Sequence, residues 1–233
     1  RIVFVLEAME QSDLALLVHA EVTGPDVDIF EREKVFIDRH LHPISINYPG
    51  LRIVFEHVTS AFGVQFLLNS RSNVAGTITA HHLLMNRNDL FAGGLNPHHY
   101  CAPVLKSEAD RRALVLAATS GDPRFFAGTD SAPHPVKSKG AYAAAGIYTA
   151  HAAMELYAEA FDQAGALPRL EAFTSEFGAR FYGLPPNQGS ITLVKDDTHV
   201  PADIPLGEDR MVPMRGGGEV PWRLGKRAVE TPN

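Results

Sequence analysis

Four short apolar runs, each closed by a side chain that can carry a proton or hold a metal, constrain this chain more than any other feature. Leu14–Val18 ends in His19, Leu51–Phe55 in Glu56-His57, Asn73–Thr79 in Ala80-His81-His82, and Arg124–Gly128 in Thr129-Asp130. Short apolar runs bounded by turn residues read as buried strands. Helical stretches lie between them. Phe30–His40 has Asp26 or Asp28 available as its cap, Ser60–Asn69 follows the second run, and Ser107–Thr119 opens on Ser-Glu-Ala-Asp, a capping-box pattern. Alternation of this kind predicts a parallel sheet flanked by helices.

An open doubly wound sheet places a Gly-rich phosphate loop after one of its strands, and none follows any of these four. A barrel gathers its strand ends around one mouth, where side chains from separate strands converge. The expected fold class is therefore α/β, of the (β/α)8 TIM-barrel type, with this chain covering roughly the last four βα units plus a C-terminal tail. Complete barrels run to about 250 residues, which four units do not fill. The chain opens inside a helical pattern, Arg1–Gln11, with Ile2, Val5, Leu6 and Met9 on one face and no cap, turn or Met before it. The expectation is that residues precede Arg1, or that the chain is a fragment.

One domain is expected over 1–233, with βα units and helices over 1–195 and an irregular C-terminal wrap over 196–233. Beyond Asp130, a Lys/Gly/Ala-rich loop spans Val136–Gly146, helices lie near Ile147–Gln163 and Leu167–Phe181, and a short strand spans Ser190–Lys195. Gly216-Gly-Gly-Glu219 follows no clear strand and opens no helix, so it reads as a turn rather than a phosphate loop.

Composition narrows the function classes. A hydrophobic share of 45% with 21% charged residues suits a packed core and argues against disorder. A net charge of -6 offers nothing to nucleic acid. No apolar stretch is long enough to cross a bilayer, and no secretion-signal pattern opens the chain. The single cysteine, Cys101, excludes an internal disulfide. These features predict a cytoplasmic protein with no membrane partner.

His19, His57 and Asp130 at separate strand ends suit a divalent metal such as zinc. Zinc brings the pKa of its water to near neutral. An aspartate in contact with that water can take its proton and pass it to a leaving nitrogen. The chemistry this predicts is metal-assisted hydrolysis of an amide or imide-like bond, with His134 as a contact for an anionic substrate. Each residue alone has a plainer reading. Asp130 could be a cap, and His19 or His57 a surface or satisfied core histidine, as His40, His42, His151 and His199 are taken to be. Equivalent places in successive units favour a shared site. His81-His82 is ambiguous, because neighbours in a strand face opposite ways. Cys101 has no dedicated base beside it and reads as a structural thiol near the mouth.

The segments Leu17–Thr23 (LVHAEVT), Val54–Thr59 (VFEHVT), Thr77–Leu83 (TITAHHL), Asn86–Asn88 (NRN), Gly93–Lys106, Gly128–His134 (GTDSAPH) and Phe181–Pro185 (FYGLP) resemble dihydroorotases. The form resembled is the bacterial homodimeric type of the amidohydrolase superfamily. The resemblance implies a barrel with two zinc ions per complete site, interconverting N-carbamoyl-L-aspartate and (S)-dihydroorotate in de novo pyrimidine biosynthesis. It implies that His19 and His57 hold the more exposed zinc. Asp130 would touch the other zinc and act as general base and acid. His134 would meet the substrate carboxylate, with backbone groups at Ala102 and Ala145. Ala102 stands where a larger apolar residue is expected, a change that a backbone contact survives. The family's His-x-His pair, its bridging lysine and its substrate-gripping arginine and asparagine have no match here, so a bridged dizinc centre cannot be assembled from these residues. Two other readings remain: another cyclic amidohydrolase of hydantoinase type, and an inactive half-barrel acting as an interaction module.

Overall fold

The computed structural model describes residues 2–225. Its centre is a four-stranded sheet in sequence order: β1 (Leu16–His19), β2 (Ile53–Glu56), β3 (Val74–Ile78) and β4 (Phe125–Ala127). Every neighbouring pair is parallel, with His19 opposite Glu56, Phe55 opposite Gly76 and Ile78 opposite Ala127. All five residues of β3 are buried, as expected of a strand covered on both faces. β1 instead alternates half-buried and exposed residues along the sheet edge.

Alternation along the strands divides the core. Ile53, Phe55, Ile78 and Phe125 join the main cluster with Leu67, Leu83, Tyr157, Phe161 and Phe173. Val54, Ala75 and Phe126 form a smaller cluster with Phe177. Each fully buried large apolar side chain contributes about 1.5–3 kcal/mol.

α1 (Ile2–Gln11) buries Leu6, while Ile2, Phe4 and Val5 are exposed. α2 (Arg32–Phe36) runs through a π-helical turn at Ile37–Leu41 into α3 (His42–Asn47), so this helical stretch outlasts the one expected to end at His40. Pro43 has no N–H to give the preceding turn, and that turn is wound wide. Asp28 accepts from Phe30 N at 2.8 Å, just ahead of α2. Ser60 caps α4 (Ala61–Leu68), accepting from Gly63 N.

The third strand ends sooner than expected. Thr79 caps α5 (Ala80–Leu84), which takes His81 and His82 into a short buried helix and away from the strand exit. α6 (Glu108–Thr119) carries the predicted capping box between Ser107 and Asp110. α7 (Ala153–Gln163) packs against α5, and a π-helical turn at Ala172–Glu176 leads into α8 (Phe177–Tyr182).

The tail departs from the irregular wrap expected over 196–233. β5 (Leu193–His199) pairs antiparallel with β8 (Glu219–Leu224), and β6 (Ile204–Leu206) pairs with β7 (Asp209–Met211). Pro and Gly interrupt the alternation that would have announced these ribbons. Val200, Val220 and Trp222 are buried nonetheless, in the same cluster as α7's Tyr157 and Phe161. The three glycines 216–218 form a turn, as expected, with Gly217 at φ +76°, and Glu219 opens β8. Arg1 and the tail residues 226–233 lie outside the described residues.

One hydroxyl joins the helical layer to the sheet. Tyr157 of α7 is fully buried, and its hydroxyl is placed to donate to the carbonyls of Ile78 at 2.9 Å, the last residue of β3, and Gly128 at 3.1 Å, just past β4. Tyr157→Phe should therefore lower stability by about 1–3 kcal/mol, the cost of leaving buried acceptors without their donor. Urea unfolding should show a lower midpoint at an unchanged slope; an unmoved midpoint would show that the hydroxyl does not join the strand ends.

Candidate active site

Two of the expected site residues sit where the backbone turns out of the sheet. His57 follows β2 at φ +43°, and Asp130 lies beyond β4 at φ +40°. Left-handed backbone costs a non-glycine residue about 1–3 kcal/mol and persists only where the surroundings over-determine it. At His57 the surroundings are dense. Its N–H donates to Thr77 Oγ1 at 2.7 Å, and that hydroxyl donates to Glu56 Oε2 at 2.6 Å. Val58 N bonds to Thr77 O at 2.9 Å.

Two residues further on, the Glu33 carboxylate of α2 accepts from Thr59 N at 2.8 Å, Ser60 N at 3.0 Å and both adjoining hydroxyls. Glu33 is wholly buried; burial raises its pKa, while Lys106 and these donors oppose the rise. Beyond β4, Gly128 leaves no room for a side chain, since a Cβ there would lie 2.6 Å from Thr77 Cβ. Ser131 then bridges to Ile147, and its hydroxyl accepts from Thr149 N and Ala150 N.

His19 and His57 are brought together. Nδ1 of His19 lies 3.0 Å from Nε2 of His57, with the rings nearly edge to face. Glu21 sits 3.4 Å from His19 Nε2. Its hydrogen bond raises the pKa of His19 against partial desolvation. Burial, and then His19 itself, lower His57 to about 4. His57 Nδ1 is buried without a partner among the described residues. Asp130 is open to solvent on one side, while desolvation on the other raises its pKa, and the nearby His19 opposes the rise.

Zinc takes imidazole nitrogens and carboxylate oxygens. Two imidazole nitrogens facing one another, an unpartnered third ring nitrogen and a carboxylate within electrostatic reach fit such an ion in donor type.

The remaining expected contacts form a second group. His134 Nε2 lies 2.9 Å from the Ala145 carbonyl. Ala102 is exposed on the loop after α5, and the two loops meet where Gly146 N bonds to Tyr100 O at 2.9 Å. Glu21, Glu33 and Thr77 were not among the expected site residues. Glu21 lies within the His-Ala-Glu segment and could have been found there. Glu33, between Arg32 and Lys34, reads as part of a solvated helix face.

His81 and His82 sit buried in α5, within electrostatic reach of His57. One ring nitrogen of each and Cys101 Sγ lie within 4.8 Å of one another, all three residues buried. Both His82 nitrogens are already engaged, Nδ1 with Thr79 Oγ1 at 2.7 Å and Nε2 with Pro103 O at 3.1 Å. The Cys101 thiol donates to the same carbonyl, and burial pushes it up to about 12. A thiol held protonated beside an engaged imidazole is a packed neutral cluster, in keeping with a structural Cys101. His81 buries both ring nitrogens without partners, and burial lowers it to about 3.

Comparison with known proteins gives the family. The amidohydrolase family model matches residues 2–196. The dihydroorotase of Nitrosomonas eutropha is 59% identical over 220 residues, which cover 94% of this chain and 64% of that protein. The crystal structure of Saccharomyces cerevisiae dihydroorotase in complex with 5-fluoroorotic acid superposes with a TM-score of 0.84 at 32% identity, covering 95% of this chain and 65% of that one. The Campylobacter jejuni dihydroorotase gives 0.85 at 31% identity, covering 94% and 62%. The chain spans about 64% of the length of the curated relatives it matches.

The two histidines predict opposite pH effects in metal-free protein. His57 is lowered from 6.5 to about 4, so its contribution to stability is complete above pH 6.5 and is lost as pH falls through about 4, by on the order of 3 kcal/mol. His19 is raised, so its contribution is complete below pH 6.5 and is lost as pH climbs through its folded value. Histidine NMR titration should show His19 protonating well before His57. Simultaneous titration near pH 6.5 would contradict the pairing.

Proposed function

We propose, from the premise that the chain belongs to the amidohydrolase family, that the mouth of β1–β4 is the catalytic face of a dihydroorotase. The reaction is the reversible interconversion of N-carbamoyl-L-aspartate and (S)-dihydroorotate in pyrimidine biosynthesis. The observation that carries the reading is the meeting of His19 and His57 at 3.0 Å, with Asp130 electrostatically coupled to His19, at the ends of parallel strands. The identity of 59% to a dihydroorotase over 94% of the chain supports the same substrate. The activity is proposed for the protein at its relatives' full length, as a cytoplasmic homodimer with the sheet completed into a (β/α)8 barrel and two zinc ions in the complete site.

His19 and His57 would hold one zinc, and Asp130 would contact the other. Bound zinc supplies a Lewis acid that polarises the ring carbonyl and acidifies water. The roles of the chain's own groups follow from their surroundings. The β2 turn, pinned by Thr77 and Glu33, fixes His57 before any ligand arrives. Neutral His57 offers a lone pair without first losing a proton. Asp130 has a pKa raised by desolvation, so as a carboxylate it is a better proton acceptor than an exposed aspartate. It would take a proton from the attacking water and return it to the ring nitrogen as the amide bond breaks. His134 and the backbone at Ala102 and Ala145 would meet the substrate carboxylate.

A second reading has its own observation. Ile2, Phe4, Val5, Leu14 and Leu17 are exposed around α1 and the open edge of β1. Such a surface favours association along that edge, as an interaction module would use it. Steady-state assays separate the readings. Dihydroorotate should be turned over in preference to hydantoin, and Asp130→Asn should lower kcat by about 10²–10⁴-fold. A preference for hydantoin would sink the substrate assignment, and full activity in Asp130→Asn would sink the proton-transfer role.

A further inference from the structure

Lys139 is a buried charged side chain outside the histidine pair whose every donor is engaged. It lies in the loop that follows the Ser-Ala-Pro-His segment, is buried, and directs its ammonium at three backbone carbonyls. The distances are 3.1 Å to Tyr100 O, 2.7 Å to Ala144 O and 2.6 Å to Gly146 O. An ammonium has three donors, so none is left for a ligand. Burial lowers Lys139 to about 8, and three carbonyl acceptors around Nζ call for the three N–H groups of the ammonium form.

The acceptors belong to two different loops. Tyr100 lies two residues before Ala102, and Ala144 and Gly146 flank Ala145. Peptide planarity converts this clamp into an aim. In a trans peptide the N–H points opposite to the C=O. With the Ala144 carbonyl turned onto Nζ, the Ala145 N–H faces away from the clamp, and it has no acceptor among the described residues. The Ala145 carbonyl is held on the other side by His134 Nε2 at 2.9 Å.

Gly146 completes the fit. It sits at φ +154°, and a Cβ there would come within 2.6 Å of Ala132 Cβ and 2.8 Å of His134 Cδ2. Its N–H returns to Tyr100 O, the carbonyl that Lys139 also holds. One buried cation thus sets the spacing between the Tyr100–Ala102 segment, the free Ala145 amide and the His134 ring.

We infer that Lys139 is a positioning residue that joins the two loops and presents the Ala145 amide, His134 and the Ala102 segment to a ligand carboxylate. The inference rests on the proposed dihydroorotase reading for the identity of that ligand. Lys139 does not touch the ligand in this arrangement.

The test uses two probes that differ only in the carboxylate, 5-fluoroorotate and 5-fluorouracil, with binding measured by calorimetry on zinc-loaded full-length protein. Lys139→Met should weaken 5-fluoroorotate by about ten- to a hundredfold and leave 5-fluorouracil and zinc content unchanged. Lys139→Gln, which keeps two donors, should fall between the two proteins and serves if Lys139→Met does not fold. Hydrogen exchange should accelerate at Ala144 and Gly146 in both variants, with the β1–β4 amides still protected. Wild-type preference for 5-fluoroorotate that survives in both variants overturns the inference, even if exchange accelerates. Wild-type protein with no such preference overturns the dihydroorotase reading instead, and the carboxylate assignment falls with it.

Discussion

Parallel pairing of β1 to β4 is the constraint on which the rest of the structure depends. A parallel sheet sends every strand's carboxyl end the same way, so His19, His57 and Asp130 leave the sheet on one side although they are far apart in sequence. Register then sets which residues meet. With His19 opposite Glu56, the residue after Glu56 arrives beside the His19 ring, and the two imidazoles come to 3.0 Å. A slip of one residue would turn His19 to the other face of the sheet. The helices enforce the register by covering β2 and β3, whose apolar side chains divide between two clusters.

Buried polar groups finish what packing begins. Glu33, Thr77 and Lys139 each sit in the interior and answer backbone groups of loops at the sheet's carboxyl end. A buried polar group without partners is costly, and a satisfied one specifies a single arrangement. Glu33 holds the turn after His57 through four donors, and Lys139 holds the loops around Ala102 and Ala145 through three acceptors. The two devices have opposite sign: a carboxylate collects N–H and O–H groups, and an ammonium collects carbonyls. In the histidine pair, the Glu21 hydrogen bond raises His19 while burial lowers His57, so the two pKa values separate.

Much of this was legible before any coordinates. The four apolar runs correspond to β1–β4, and the Ser60 and Ser107 caps open α4 and α6 where the pattern placed them. The strand ends at His19 and His57 were read from residue type alone. His81 and His82 were not, because a strand exit and the first turn of a helix look alike when an apolar run ends in Thr-Ala-His-His; Thr79 settles it by accepting from His82 N at 3.1 Å. The tail ribbons β5–β8 were hidden for a related reason. Their pairing is between distant segments, and short strands broken by Pro and Gly carry no local alternation to read.

By itself, the sequence determined the order of strands and helices, the residue types at the strand ends, and through its motifs the family. These are local properties of periodicity, capping and composition, and they need no knowledge of what packs on what. Only the tertiary structure decided that His19 faces His57 while His82 faces Pro103, that Glu33 is a buried acceptor rather than a surface charge, and that Lys139 spends its charge on three carbonyls. Each of these depends on which distant segment arrives alongside. The desolvation and hydrogen bonding that set a side chain's role are imposed by those neighbours, and a charged residue in a helix or loop has the same local signature whether it ends in water or in the core.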